Sequence, residues 1–177
     1  MNAVTLITSP VQNGHEFLIA EKITEGIESN GGDNTILFLN DYIIDPCQAC
    51  QSCTQQSECI QDDDFIELTE EIREADAFIF LAPIYFGGIS GQAKTFLDRF
   101  YSISSNFNKN FEGKKTVIII TSGSEEKVYD EYCKTLDKPF IAVNLDVKTI
   151  WHVGELLIPG KINPDVSKKA KEIGEKL

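Results

Sequence analysis

The sequence predicts an α/β fold in which a doubly wound, five-stranded parallel sheet carries helices on both faces. Five short apolar runs alternate with segments whose apolar residues recur every three or four positions, which is the pattern of buried strands alternating with amphipathic helices. The chain has 177 residues, 42% of them hydrophobic, which is enough for one domain with a core of its own. Because no repeat or linker interrupts it, we expect residues 1–177 to form a single domain.

Strands and helices alternate regularly in the first half of the chain. Strands are predicted at residues 4–8, 35–39 and 77–82. The third run is apolar at almost every position, which is typical of a strand buried on both faces. Helices are predicted at residues 17–27, 65–75 and 93–101.

In the second half of the chain, the sequence predicts two more strands, at residues 117–120 and 147–153. A helical region between them, residues 128–144, contains Pro139, which should kink it or divide it in two. Asn163 is placed to cap a last helix with Pro164 at its first position. Ala170, Ile173 and Leu177 are expected on the buried face of that helix.

The charge balance excludes two classes of partner. With 16 Lys and Arg against 28 Asp and Glu, the net charge is −12, so nucleic acid and anionic membrane surfaces are repelled. Glycines and Pro83 break the longest uncharged stretch, and no basic residue precedes the apolar run at the N-terminus, so neither a spanning helix nor a signal peptide is predicted. We expect a cytoplasmic protein whose cysteines are thiols or metal ligands.

Three loops follow predicted strand ends, where ligands bind in sheets of this type. Residues 9–16 lead into a helix N-terminus, which favours an anion such as a phosphate, although an ordinary turn uses the same residue types. Residues 83–91 place Tyr85 and Phe86 beside a glycine pair, which suits a flat ring system. The alternative is that both aromatic side chains pack onto the following helix. Residues 121–124 form the third loop.

Three motifs together resemble a known family. They are Ser9-Pro10-x-x-Asn13-Gly14, Pro46-Cys47-x-x-Cys50-x-x-Cys53, and the run Ala-Pro-Ile-Tyr-Phe-Gly-Gly-Ile-Ser-Gly-Gln-Ala-Lys-Thr-Phe-Leu-Asp-Arg at residues 82–99. The sequence resembles the flavodoxin-like NADPH-dependent FMN reductases, and within them the iron-sulfur flavoproteins.

The resemblance implies an FMN-dependent oxidoreductase with strand order 2-1-3-4-5. A hydride would pass from NAD(P)H to the flavin and the electrons on to an unknown acceptor, and the chain would form a homodimer or homotetramer. FMN would bind with its phosphate in the first loop, its ring on the second and its pyrimidine edge at the third. The implied cofactor-binding residues are Ser9, Val11, Asn13, Gly14, His15, Glu16, Pro83, Ile84, Tyr85, Phe86, Gly87, Gly88, Thr121, Ser122 and Gly123.

No catalytic side-chain acid or base is required, because the cofactor supplies the chemistry. The chain has only two histidines, His15 and His152, and no Ser, His and Asp set is recognisable in the sequence.

The first loop departs from the family pattern Gly-Ser-Pro-Arg-x-x-Gly-Asn-Thr/Ser. Thr8, Val11, His15 and Glu16 stand at the positions of Gly, Arg, Asn and the phosphate-binding hydroxyl. A carboxylate this near a phosphate repels it by about 1–4 kcal/mol. We hypothesise that Glu16 partly fills the anion site and weakens FMN binding, unless a protonated His15 offsets it. The alternative is that Glu16 points to solvent as a favourable first-turn acid.

Cys47, Cys50, Cys53 and Cys59 follow the spacing C-x2-C-x2-C-x5-C, from which four thiolates can converge on a cluster or a metal ion. The resemblance implies a 4Fe-4S cluster. Zinc, or thiols that are reduced or reversibly oxidised, are the alternatives. Cys133 lies on a helical pattern apart from these four and is predicted to be a small core residue.

Two other functions fit the same sequence. One is an electron carrier that passes electrons between a cluster and FMN without nicotinamide. The other is a thiol- or metal-sensing domain with weakened FMN binding. Residues 58–76 contain nine acidic residues and one basic residue, which is either a solvated face or a docking surface for a basic protein.

Overall fold

A five-stranded parallel sheet forms the centre of the computed structural model, which describes residues 1–56, 58–104 and 111–177. The strands are β1 (Asn2–Ile7), β2 (Asp33–Phe38), β3 (Ala77–Tyr85), β5 (Lys115–Thr121) and β6 (Asp146–Val153). Their order is β2-β1-β3-β5-β6, and a two-residue strand, β4 (Gly88–Ile89), pairs antiparallel with β3. Without β4, this is the predicted order 2-1-3-4-5.

Helices cover both faces of the sheet. They are α1 (His15–Ser29), α2 (Ser52–Gln56), α3 (Phe65–Glu74), α4 (Gly91–Ser104), α5 (Asp130–Cys133), α6 (Lys138–Ile141) and α7 (Pro164–Lys176). One core contains Ile19 and Ile23 of α1 with Ala170 of α7, and the other contains Phe65 of α3 and Phe96 of α4. The predicted doubly wound α/β fold is confirmed.

Helices α1 and α7 touch through their backbones. A Cβ atom at Gly26 would lie 2.1 Å from the Lys171 carbonyl oxygen, and one at Gly174 would lie 2.1 Å from the Ile23 carbonyl oxygen. Only glycine fits at either position. At the start of α7, the Asn163 side chain accepts a hydrogen bond of 2.8 Å from the Val166 N–H, which confirms the predicted cap.

The prediction of an irregular loop from residue 83 was wrong. Strand β3 continues through Pro83, which pairs with Thr121 of β5, and ends at Tyr85. Phe86 and Gly87 have φ values of 48° and 93°, so they form the tight turn of a β3–β4 hairpin. Strand β3 therefore extends past Pro83, because its last two residues pair with β4. The sequence pattern predicted that the strand ends before this proline.

The helical region predicted at residues 128–144 is divided, as expected. Pro139 lies in the first turn of α6, where a missing N–H costs no hydrogen bond. Within the described parts of the chain, no helix has the length and apolar character needed to cross a membrane.

Candidate functional site

A cleft of about 330 Å³ opens at the carboxyl ends of β1, β3 and β5. It brings together twelve of the fifteen residues that the sequence predicted for the cofactor site. These are Ser9, Val11, Asn13, Gly14, His15, Glu16, Pro83, Ile84, Tyr85, Thr121, Ser122 and Gly123. The cleft lies where α/β sheets bind ligands, because the carboxyl ends of neighbouring parallel strands share one edge.

Three predicted residues, Phe86, Gly87 and Gly88, do not line the cleft. They belong to the turn and short strand of the hairpin, and the Phe86 side chain is fully exposed at its tip. The alternative that both aromatic residues pack onto the next helix is wrong for Phe86. Tyr85, which is 45% exposed, forms part of the cleft wall.

Sequence reasoning missed one wall of the cleft, formed by Leu156, Pro159 and Gly160. This segment directly follows β6, the last strand of the sheet. The signal available in the sequence was that this segment follows the carboxyl end of a predicted strand, at the sheet edge where the other three loops lie. Its composition alone, mostly apolar with a turn, pointed to no chemistry.

The first loop is compact and leads directly into α1. The Ser9 hydroxyl accepts a hydrogen bond of 3.2 Å from the Val11 N–H, and the Gly14 N–H donates to the Val11 carbonyl at 3.1 Å. Gly14 is the N-cap of α1 and gives it no side-chain cap. The N–H groups of the first helical turn therefore lack a capping acceptor from that residue.

Glu16 points inward rather than to solvent. Its side chain lines the cleft, the residue is 5% exposed, and Oε1 accepts a hydrogen bond from the Thr121 hydroxyl of β5. Its Oε2 lies 3.1 Å from the position that a Cβ atom on Gly14 would take, so the carboxylate is folded back over the loop. The alternative of a solvent-directed first-turn acid is wrong, because a buried hydroxyl partner holds this side chain in the cleft.

The cleft fits the ring and ribityl parts of FMN better than its phosphate. Pro83, Ile84 and Tyr85 supply an apolar and aromatic wall, while Thr121 and Ser122 supply hydroxyl groups. Among the residues that the structure describes, no Lys or Arg lines the end of the cleft formed by residues 9–16. His15 Nε2 lies 2.8 Å from the Ile158 carbonyl oxygen. In this part of the described structure, the carboxylate of Glu16 therefore faces the position where the resemblance implies a phosphate, without a Lys or Arg beside it.

The cleft residue Ser122 contacts the buried His152, a pair that the sequence did not reveal. The Ser122 hydroxyl is 2.9 Å from His152 Nε2, and His152 Nδ1 is 2.9 Å from the Glu126 carbonyl oxygen. Because a carbonyl oxygen only accepts, Nδ1 carries the hydrogen and Nε2 can accept from Ser122. A backbone carbonyl stands where a hydrolytic triad has an acid, so the pair positions the hydroxyl, whose oxygen can accept from a ligand N–H.

The four clustered cysteines line a second cavity, of about 220 Å³, together with Arg99. Cys47 and Cys50 are exposed, Cys59 is partly buried, and Cys53 is buried on α2. Hydrogen bonds from the backbone and side chain of Ser52 lower the pKa of the Cys50 thiol. The donor set suits an iron-sulfur cluster. In the described part of the chain, however, no three His, Cys, Asp or Glu side chains converge to hold a metal ion.

Arg99 of α4 joins the cysteine loop, the segment that carries Cys47, Cys50, Cys53 and Cys59, to the core. The sequence pattern did not reveal this role. Its side chain is 1% exposed and forms an ion pair with Asp63. It donates to the Asp45 carbonyl at 2.9 Å and to Cys59 Sγ at 3.3 Å, and its guanidinium lies 4.7 Å from the Phe65 ring centroid. The available signal was a charged residue three positions after Phe96, on the apolar face of a helix.

Burial alone would raise the pKa of Asp63. Hydrogen bonds from Arg99 and from the N–H groups of Asp45 and Phe65 outweigh it and hold that pKa below its usual value. The pair is therefore a charged one. In contrast, burial and the nearby Asp130 raise the pKa of the Cys133 thiol to about 11, and its place in the core confirms the prediction for that residue.

Comparison with known proteins agrees with the motifs. A family model described as NADPH-dependent FMN reductase matches residues 1–130. An iron-sulfur flavoprotein of Archaeoglobus fulgidus is 28% identical over 178 residues, which cover 100% of this chain and 79% of the relative. An iron-sulfur flavoprotein of Methanosarcina thermophila is 34% identical over 52% of this chain, and the match spans 47% of the relative's length.

Solved structures share the fold at low sequence identity. An NAD(P)H:quinone oxidoreductase from Methanothermobacter marburgensis has a TM-score of 0.74 at 18% identity, over 99% of this chain and 96% of that one. A flavodoxin from the domain Archaea has a TM-score of 0.64 at 16% identity, over 99% and 95%. The predicted flavodoxin-like fold, the family resemblance and the oxidoreductase class are confirmed.

Proposed function

Because the chain belongs to the NADPH-dependent FMN reductase family, we propose that it binds a flavin in the cleft, takes a hydride from NAD(P)H and passes the electrons to an acceptor. The observation that carries this is the cleft itself, where three loops from separate strands meet around one apolar wall with hydroxyl groups beside it. The location that we propose is the cytoplasm, as the sequence predicts.

The residues of the cleft bind and orient the ligand rather than react with it. When bound, the flavin supplies the hydride and electron chemistry. Pro83 to Tyr85 offer a surface for a flat ring, and the Ser122 oxygen accepts a hydrogen bond because His152 and the Ser124 carbonyl lie within reach of its hydrogen. The Ile89 N–H donates a hydrogen bond of 2.9 Å to the Tyr132 hydroxyl, and this bond fixes the hairpin beside the cleft.

We further propose that the cysteine loop holds an iron-sulfur cluster and is a second redox centre. All four thiols face one cavity, and the buried Arg99 cation beside Cys59 would offset the negative charge of a cluster. Helix α4 links the two regions, since it begins at Gly91 just after the hairpin and reaches Arg99 after eight residues, a rise of about 12 Å.

Visible spectra of anaerobically purified protein, taken before and after NADPH and then dithionite, test both proposals. We expect flavin bands that NADPH bleaches, and a broad absorption that Cys59→Ser removes and Cys133→Ser retains. Bleaching by dithionite but not NADPH would instead support the electron carrier without nicotinamide. A colourless protein that takes up no added flavin would overturn the oxidoreductase proposal and favour the sensing domain. Retention of the broad absorption in Cys59→Ser, or its absence from the wild type, would overturn the cluster.

A further inference from the structure

We infer that the cleft selects a flavin without a 5′-phosphate, and that it binds riboflavin at least as tightly as FMN. Glu16 supplies the negative charge that a phosphate brings to such a loop and is the residue that determines this specificity. The inference rests on the proposed flavin function and deepens it.

The Glu16 carboxylate is held in a fixed position. Glu16 is buried at the end of the cleft that residues 9–16 form, and its Oε1 accepts a hydrogen bond from the Thr121 hydroxyl of β5. Oε2 stands over Gly14, where a Cβ atom would approach it to 3.1 Å. A side chain held from β5 does not swing freely out of the site when a ligand enters.

The N-terminus of α1 favours negative charge, and its first turn already contains the carboxylate of Glu16. A phosphate monoester would bring up to about two further negative charges into a cleft where none of the described lining residues is Lys or Arg. The imidazole of His15, which also lines the cleft, is held by its Nε2 to the Ile158 carbonyl.

Hydrogen bonding at Glu16 also distinguishes the two flavins. A carboxylate accepts hydrogen bonds and donates none. The terminal hydroxyl of a ribityl chain can donate to Glu16, whereas the corresponding ester oxygen of FMN has no hydrogen and carries the repelling dianion. A flavin that ends in a neutral hydroxyl therefore satisfies the same carboxylate that a phosphorylated one opposes.

Equilibrium titration of apoprotein, followed by quenching of flavin fluorescence, measures the two dissociation constants. For the wild type we expect a Kd for riboflavin equal to or below that for FMN. Glu16→Thr, which restores the family's hydroxyl, should lower the Kd for FMN about tenfold or more. Removal of a charge repulsion of about 1.4 kcal/mol lowers a dissociation constant tenfold. Riboflavin should change by less than about threefold.

Two further variants separate charge from shape. Glu16→Gln keeps the size of the side chain and removes its charge, so it should tighten FMN in the same direction. Glu21→Thr removes an exposed acid of the same helix that does not line the cleft and should leave the ratio of the two constants unchanged. Wild-type protein that prefers FMN by tenfold would overturn the inference and leave the flavin function intact. Protein that binds neither flavin would overturn the proposed function itself.

Discussion

The Asp63–Arg99 ion pair is buried and joins the cysteine loop to helix α4. Asp63→Asn leaves the Arg99 charge buried without its partner, so we expect the free energy of unfolding to fall by about 3–5 kcal/mol. Chemical denaturation measures it. Asp62→Asn, at the exposed neighbouring position, should change stability by less than about 0.5 kcal/mol.

The same pair predicts a pH dependence. The pKa of Asp63 is lower in the folded protein than its usual value, so its ionised form stabilises the fold above about pH 4. That stabilisation is lost as the pH falls through the lowered pKa of the folded state. The stability difference between wild type and Asp63→Asn should therefore shrink below about pH 4, and a difference that stays constant down to pH 2 would contradict the ionised pair.

Individual site residues were predictable by type, and the inward direction of Glu16 was one of two interpretations, but their contact partners were not predictable. The motifs identified Glu16 as a departure from the family pattern, and the structure shows that Thr121 draws it inward. Ser122 and His152 meet although 30 positions separate them. Such pairings depend on which strand ends lie side by side, and a sequence pattern contains that information only once the strand order is known.

The contact between helices α1 and α7 predicts a severe effect for a single methyl group. Gly174→Ala would press its Cβ atom against the Ile23 carbonyl oxygen. Because backbone cannot move aside as a side chain does, we expect a loss of at least about 3 kcal/mol in unfolding free energy, the upper end of ordinary overpacking. Thermal or denaturant unfolding measures it.

Gly91→Ala is the matched control, because a Cβ atom there meets nothing within 4 Å. It should be neutral or stabilise the protein by up to about 1 kcal/mol. Equal stability of Gly174→Ala and the wild type would mean that the two helices do not approach this closely.

Apolar periodicity located all five main strands and the long helices, because each buries one repeating face or a continuous run. It failed for elements that depend on turns. The β3–β4 hairpin uses a positive φ at Phe86, a residue type that does not signal such a turn, and α2 lies within a polar cysteine loop. A glycine on a helix, likewise, does not reveal how close its neighbour lies.

Exposed apolar side chains surround the mouth of the cleft, which supports the expected self-association of the chain. These residues are Val11, Tyr85, Phe86, Leu157 and Ile158. Surface patches of this kind mark interaction sites. We propose that a second copy of the chain covers the hairpin tip, so Phe86→Ser should shift the molecular mass measured by light scattering toward that of a monomer.

Ile141→Ser is the control for this substitution, since Ile141 is also exposed but lies on α6 and does not line the cleft. It should leave the mass unchanged. A monomeric wild type, or a Phe86→Ser variant that keeps the full mass, would contradict the proposal.

The concentration of acidic residues at positions 58–76 is largely used within the molecule. In the part of the chain that the structure describes, at least five of the nine have bonding partners: Asp63 with Arg99, Asp64 with Ile43 N–H, Glu70 with Arg73, Glu71 with the Tyr42 hydroxyl, and Asp76 with Asn2 N–H. Composition gave the sum of the charges correctly. Composition could not show that many of these acidic residues form hydrogen bonds or ion pairs with other parts of the fold.

The cysteine loop enters and leaves the fold at one place. Asp64 N–H donates to the Ile43 carbonyl at 2.9 Å, the Asp45 N–H donates to Asp63 at 3.0 Å, and the Gln61 amide donates to the Pro46 carbonyl at 3.3 Å. A segment closed at its base in this way can change in length and sequence between its ends while the sheet beneath it stays the same. Descendants of such a protein could therefore lose the cysteines and keep the cleft, or change the cleft and keep the cysteines, so the two proposed sites can be inherited separately.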